Sequence, residues 1–147
     1  MKKVSGYIPS YNNKDTIAAA ITSLKSQVYP IDEILVIDDG STDLTVDIAK
    51  SCGVQVYQND ANKGRGFTRA KAMEVAKNDL VLCCDATNEL DLHFASEAIK
   101  AFYDSEVSSV FGRICSKTSK SIVNKWRSVH LFKENVKYKS GFQKSDL

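Results

Sequence analysis

The chain has 147 residues, 43% of them hydrophobic and 26% charged, which is ordinary for a globular protein and enough for one domain with a proper core. No apolar run approaches ~18 residues, which excludes a simple membrane-spanning helix, and Met1-Lys2-Lys3 leads straight into a strand-like segment without the apolar stretch of a signal peptide. The net charge of +2 is unevenly spread: residues 1–115 carry 12 Lys/Arg against 16 Asp/Glu, a balance of −4, and residues 116–147 carry 8 against 2, a balance of +6.

Taken in order, residues 4–9 read as a first strand and Ser10-Tyr11-Asn12-Asn13 as a polar turn. Ile17, Ala20, Ile21, Leu24 and Val28 then follow a helical period, with Asn12 or Asn13 as N-cap and Tyr29-Pro30 as the stop. Residues 33–38 read as the central strand, its four uninterrupted apolar residues Ile34 to Ile37 being the pattern of a strand buried on both faces. A helix over about 43–52 would turn Leu44, Ile48, Ala49 and Cys52 inward, with Gly53 in the C′ position. A short strand at 54–57 precedes a loop of turn formers and basic groups at 59–66. A helix at 67–76 would present Phe67, Ala70, Met73 and Ala76 to the core. A fourth buried strand at 80–84, a helix at 91–103 that would bury Leu92, Ala95, Ala98, Ile99 and Phe102, and a fifth strand at 107–114 complete the pattern.

Strand starts fall near 4, 33, 54, 80 and 108, the spacing that repeated βαβ units require. The expected fold is α/β, with a mainly parallel sheet and helices on both faces. Cys52, Cys83, Cys84 and Cys115 have no Cys-x-x-Cys spacing. They are expected to be buried, reduced thiols of a cytosolic protein. His93 and His130 stand alone and are assigned structural or surface roles. The basic residues lack interleaved stacking aromatics, so a nucleic-acid partner is not expected.

Chemistry is concentrated in four loops. Ser10–Asn13, Asp38–Asp43 and Asp85–Asp91 each follow a strand and would meet on one edge of the sheet, where open α/β sheets bind ligands. The fourth, Asn62-Lys63-Gly64-Arg65-Gly66-Phe67-Thr68-Arg69, opens a helix. Phosphate would be drawn to that helix N-terminus and to Lys63, Arg65 or Arg69. Neighbouring carboxylates would suit a divalent metal bridging the phosphates. The combination is that of a nucleotide-diphosphate site. It is neither a Walker loop nor a Gly-x-Gly-x-x-Gly fingerprint, and Asp38 and Asp39 could alternatively be solvated members of an acidic turn.

Tyr7-Ile8-Pro9-Ser10-Tyr11-Asn12, then Val36-Ile37-Asp38-Asp39-Gly40-Ser41-Thr42-Asp43, then Asn62-Lys63-Gly64 resembles, in order and spacing, the N-terminal half of family 2 glycosyltransferases. The resemblance implies the GT-A fold, a Rossmann-like sheet, and a nucleotide-diphosphate sugar donor, with uracil as the usual base. It covers about residues 2–115. Pro9 and Tyr11 match positions that cradle the base, with the Tyr11 ring packing on it. Asp39 matches the acidic residue that hydrogen-bonds the base, and Asp38 joins it in the nucleotide-sugar set. Arg69 matches a basic residue near the diphosphate, assisted by Lys63, although Ala70 replaces the Asn that often follows it.

Asp85-Ala86-Thr87 stands in the place of the Asp-x-Asp motif, so Asp85 and Thr87 are the implied ligands of Mn²⁺ or Mg²⁺. Thr87 replaces the usual metal-binding Asp with a neutral, weaker donor, and Asn88, Glu89 or Asp91 could compensate.

The resemblance implies an inverting transfer to an unknown saccharide or lipid-linked acceptor. It assigns no catalytic base, because Glu134 and Asp146 lie in no recognisable motif. Residues 1–115 are expected to form the donor-binding core. Residues 116–147 are expected to be a basic segment that starts a truncated acceptor half. Within it Ile122, Trp126 and Val129 share a helical stripe. Contact with anionic lipid at the inner face of the membrane is its sharper reading, and a solvated surface helix the plainer one. A non-catalytic nucleotide-sugar-binding module is the rival function. A nucleotidyltransferase is disfavoured by the lack of a Gly-rich loop after the first strand.

Overall fold

The computed structural model describes residues 1–113 and 115. The chain divides into two compact units, Met1–Glu97 and Ala98–Leu147. The first holds four strands, β1 (Val4–Ser10), β2 (Glu33–Asp38), β3 (Gln55–Gln58) and β4 (Leu80–Cys83). They alternate with helices α1 (Ile17–Lys25), α2 (Thr45–Ser51) and α3 (Arg65–Val75). Helix α4 (Phe94–Ala101) begins in this unit, and its first turn is tied back by Gln27. The buried Gln27 side chain accepts from Ala95 N–H at 2.9 Å and donates to the Asp91 carbonyl at 2.7 Å.

The sheet is wholly parallel, in the order β3-β2-β1-β4. The chain winds outward from β1 through β2 to β3, then returns to place β4 on the other side of β1. Strand order therefore reverses at β1, which creates a crevice beyond the C-terminal ends of β1 and β4.

Side chains alternate across the strands and feed two cores. Ile8 and Val36 join Ile17, Ala20, Ile21 and Leu24 of α1 and Ala49 of α2 on one face. Tyr7, Leu35 and Ile37 join Ala72 of α3 on the other. Each fully buried Ile or Leu contributes about 1.5–3 kcal/mol. The α/β class with helices on both faces is thus realised.

Several sequence expectations need correction. Residues 107–113 form no strand, and Ile114 lies outside the described residues. Helix α3 begins two residues earlier than expected and rolls differently, burying Thr68 and Ala72. Phe67 is 45% and Met73 52% exposed. Of the expected inward set, Ala76 packs against the second core, whereas Phe67, Ala70 and Met73 face outward, because Gly64 at the helix start is pinned to Asp39 and turns Thr68 inward. Val28, Leu44 and Leu92 are also exposed, since each lies outside the regular part of its helix. Strand β4, an edge strand among those described, is half-buried rather than fully buried.

All four cysteines are free. Only Cys84 is buried, and burial pushes its thiol up to about 11. Cys83 and Cys115 are exposed. The stripe Ile122, Trp126 and Val129, together with His130, Glu134 and Asp146, lies outside the described residues. Among the described residues no helix is long and apolar enough to cross a membrane.

Candidate functional site

The ends of β1 and β2 are joined before any ligand is considered. Ser10 and Asp38 are register partners, and Asp39 N–H donates to the Ser10 carbonyl at 2.8 Å. The loops beyond are stitched together. Asn12 adopts a positive φ of 52°, which places its N–H on Ser41 Oγ at 2.8 Å and its Oδ1 on Thr42 N–H at 2.9 Å. Asn13 N–H donates to Thr45 Oγ1 at 2.7 Å, and Lys14 N–H to Asp43 Oδ2 at 3.2 Å. Neither Asn12 nor Asn13 caps α1 with its side chain. The Asn13 backbone carbonyl accepts from Thr16 and Ile17 instead. Asp43 caps the start of α2 by accepting from Thr45 N–H at 2.9 Å and from the Thr45 hydroxyl.

The paired carboxylates point to different places. Asp38 is fully buried and does not line the cleft. Its carboxylate accepts from the Ser10 hydroxyl at 3.1 Å, Ser41 N–H at 2.8 Å and the Ser41 hydroxyl at 2.5 Å. Asp38 is therefore a brace between the first two loops, which departs from its expected place in the nucleotide-sugar set.

Asp39 lines the cleft. Its Oδ1 accepts from Asn59 Nδ2 and Lys63 N–H, both at 2.9 Å, and its Oδ2 from Gly64 N–H at 2.8 Å. Burial alone would raise its pKa, but these donors outweigh it and hold the carboxyl below the usual carboxylate range. The same contacts fix the start of α3. Lys63 itself does not line the cleft, and its ammonium stands 4.8 Å from the Phe67 ring centroid.

The cleft has a volume of about 380 Å³ and lies at the strand-order reversal. Pro9 and Tyr11 form one wall, with the Tyr11 ring exposed. Asp39 and Thr68 also line it, and Arg65 and Arg69 of α3 bring cationic groups to it. Asp85 and Thr87, just past β4, complete it. Arg69 Nη2 donates to Asp85 Oδ1 at 2.9 Å. This partnership, before all else, raises the guanidinium pKa further. Asn88, Glu89 and Asp91 do not line the cleft.

Of the expected site residues, Pro9, Tyr11, Asp39, Arg69, Asp85 and Thr87 come together, while Asp38 and Lys63 contribute from behind. Sequence reasoning missed Asn59 and Thr68. Asn59 opens the loop before α3 and Thr68 lies in its first turn, and no local motif marks either. Among the phosphate candidates left open by the sequence, Arg65 reaches the cleft.

The donor set for a cation is one carboxylate and one hydroxyl. Among the described residues no three His, Cys, Asp or Glu side chains converge to cage a metal. Hard cations such as Mg²⁺ commonly use one or two carboxylates plus substrate phosphates and keep several waters. The residues present fit a cation that arrives with a diphosphate, not a pre-formed cage.

A profile of glycosyl transferase family 2 matches residues 5–146. The chain belongs to glycosyl transferase family 2. It is 30% identical over 125 residues to hyaluronan synthase of Streptococcus pyogenes, covering 76% of this chain and 29% of that protein. It is 34% identical over 110 residues to poly(ribitol-phosphate) beta-glucosyltransferase of Bacillus spizizenii, covering 69% of this chain and 17% of that one.

Among solved structures, residues 1–349 of S. aureus TarS in complex with UDP superpose with a TM-score of 0.63 at 30% identity, covering 70% of this chain and 32% of that TarS fragment. Glucosyl-3-phosphoglycerate synthase of Mycobacterium tuberculosis, in complex with Mn²⁺, UDP and phosphoglyceric acid, gives a TM-score of 0.61. At 23% identity, over 70% of this chain and 39% of that one, it bears on the fold alone. The family fold is the GT-A type expected from the sequence. The chain spans under a third of the length of these curated relatives.

Proposed function

We propose that this chain supplies the donor-binding part of a glycosyltransferase that uses a nucleoside-diphosphate sugar with uridine as the base. The observation that carries the reading is Asp39, held ionised by three donors and lining a cleft that Arg65 and Arg69 also line. Oδ1 already accepts two hydrogen bonds and Oδ2 one backbone N–H. That suits acceptance of a single further N–H, as uracil offers, better than the paired donors of guanine. TarS, at 30% identity, was solved with UDP, which supports the same choice.

In this reading Tyr11 packs on the base against Pro9, and Asp39 accepts the base N–H. Arg69 and Arg65 meet the diphosphate, and Lys63 steadies the start of the helix that carries them. Asp85 and Thr87 would hold Mn²⁺ or Mg²⁺, which when bound offsets charge on the departing diphosphate. The transfer is proposed to invert the anomeric carbon as an acceptor hydroxyl attacks it. Asp39 and Asp85 are both committed to the donor, so neither is assigned as the base that takes that hydroxyl's proton. The acceptor is a saccharide or a lipid-linked saccharide. A cytoplasmic, membrane-peripheral setting belongs to the same proposal and rests only on the basic composition of residues 116–147.

The replacement of a metal-binding carboxylate by Thr87 favours one rival, a non-catalytic nucleotide-sugar-binding module. Metal-stimulated turnover of a UDP-sugar separates the two.

The test of the donor site is calorimetric titration with UDP, GDP and dTDP, with and without Mn²⁺. UDP is expected to bind best and to bind more tightly with Mn²⁺. Asp39→Ala should weaken UDP binding roughly tenfold or more, the size of a lost hydrogen bond to a charged group. A folded chain that binds none of the three nucleotides overturns the proposal.

A further inference from the structure

The two cleft residues that a diphosphate and a divalent cation would each require are bonded to one another. Arg69 Nη2 meets Asp85 Oδ1 at 2.9 Å, and the two side chains are 47% and 49% exposed. Arg69 belongs to α3 and Asp85 follows β4, so the pair links two separate elements that line the cleft. A cation on Asp85 would stand close to the guanidinium, and like charges at that range repel. A diphosphate on Arg69 would in turn stand close to the Asp85 carboxylate. Each ligand is therefore opposed by the group that belongs to the other.

We propose that the Arg69–Asp85 ion pair masks both half-sites and makes metal and nucleotide binding mutually dependent. The inference rests on the donor-site reading and adds its regulation. The diphosphate draws Arg69 away and releases Asp85 to the cation, and the cation releases Arg69 to the diphosphate. An exposed ion pair is weak enough to open when a ligand competes for it. By linkage, the factor by which nucleotide strengthens metal binding equals the factor by which metal strengthens nucleotide binding. Arg69 is then a positioning residue for Asp85 as well as a contact for phosphate.

The experiment is a double-mutant cycle read by UDP titration in the presence of a chelator. Asp85→Asn should bind metal-free UDP about two- to fivefold more tightly than the wild type, although it removes the carboxylate meant for metal. The gain should vanish when Asp85→Asn is made in an Arg69→Ala background. In the absence of nucleotide, Arg69→Ala should bind Mn²⁺, followed by electron paramagnetic resonance, about two- to fivefold more tightly than the wild type. Both side chains are half-exposed, so the variants are expected to fold, and circular dichroism checks this.

An Asp85→Asn variant that binds metal-free UDP no better than the wild type overturns the inference. So does a gain of the same size in the Arg69→Ala background, because Asp85 would then act only as a repelling charge. Wild-type UDP binding with Mn²⁺, alongside either result, leaves the donor-site reading standing. A wild type that fails to bind UDP under any condition overturns both.

Discussion

Replacing Gly40 with alanine should damage both the fold and the site, and the structure gives the size of each effect. Gly40 follows Asp39 and has φ +77°. A left-handed conformation costs a non-glycine residue about 1–2 kcal/mol. A Cβ at this position would lie 2.7 Å from the Ala61 carbonyl carbon, 2.9 Å from its Cα and 3.0 Å from Asn62 N. These are backbone atoms and cannot rotate aside, so overpacking adds about 1–3 kcal/mol.

Gly53 is the control, because its φ is +68° but its Cβ would meet nothing nearer than Lys25 Nζ at 4.0 Å. Urea unfolding followed by far-ultraviolet circular dichroism should therefore give about 2–5 kcal/mol for Gly40→Ala and about 1–2 kcal/mol for Gly53→Ala. If the chain relieves the clash by pushing residues 61–64 outward, Lys63 N–H and Gly64 N–H withdraw from Asp39. UDP affinity should then fall in Gly40→Ala and stay unchanged in Gly53→Ala. Equal destabilisation of the two variants, within about 0.5 kcal/mol, would refute the contact argument.

Acid sensitivity should be traceable to Glu33. Burial opposes its charge, but the Ser5 hydroxyl and Lys77 N–H, each 2.6 Å from Oε1, and the Lys77 ammonium 3.4 Å from Oε2 hold its carboxyl below the usual range. A depressed pKa gives stability that is complete above the unfolded value of about 4.3 and is lost as pH falls through the folded value. Asp39 adds a contribution of the same sign. Urea midpoints measured from about pH 6 to pH 3 should fall less steeply in Glu33→Gln than in the wild type; parallel curves would count against this assignment. At the cleft wall, Tyr11→Ala should cost UDP binding about 1–3 kcal/mol through lost stacking, and Tyr11→Phe close to nothing. A Phe variant as weak as the Ala variant would show that the ring face is not the contact.

The alternation of strands and helices was legible in the chain because apolar runs and turn residues are local signals. Strand β2 matches its expected limits of 33–38. Gly53 takes the positive φ that its place after α2 requires. The crevice residues were also legible, since loops after parallel strands meet at one edge of the sheet whatever their detailed contacts.

Phase and pairing were not legible, because partners remote in sequence decide them. The 3.6-residue period admits more than one inward face for α3. The bonds from Asp39 to Lys63 and Gly64, across 24 and 25 residues, select the one that buries Thr68. Asp38 and Asp39 meet different surroundings, so two identical neighbours become a brace behind the cleft and an acceptor that lines it. The bond between Arg69 and Asp85 spans 16 residues and joins elements that meet only after β4 has crossed to the far side of β1. Composition and spacing determined which chemical groups the protein brings to its crevice. Tertiary packing decided which of them are spent on holding one another.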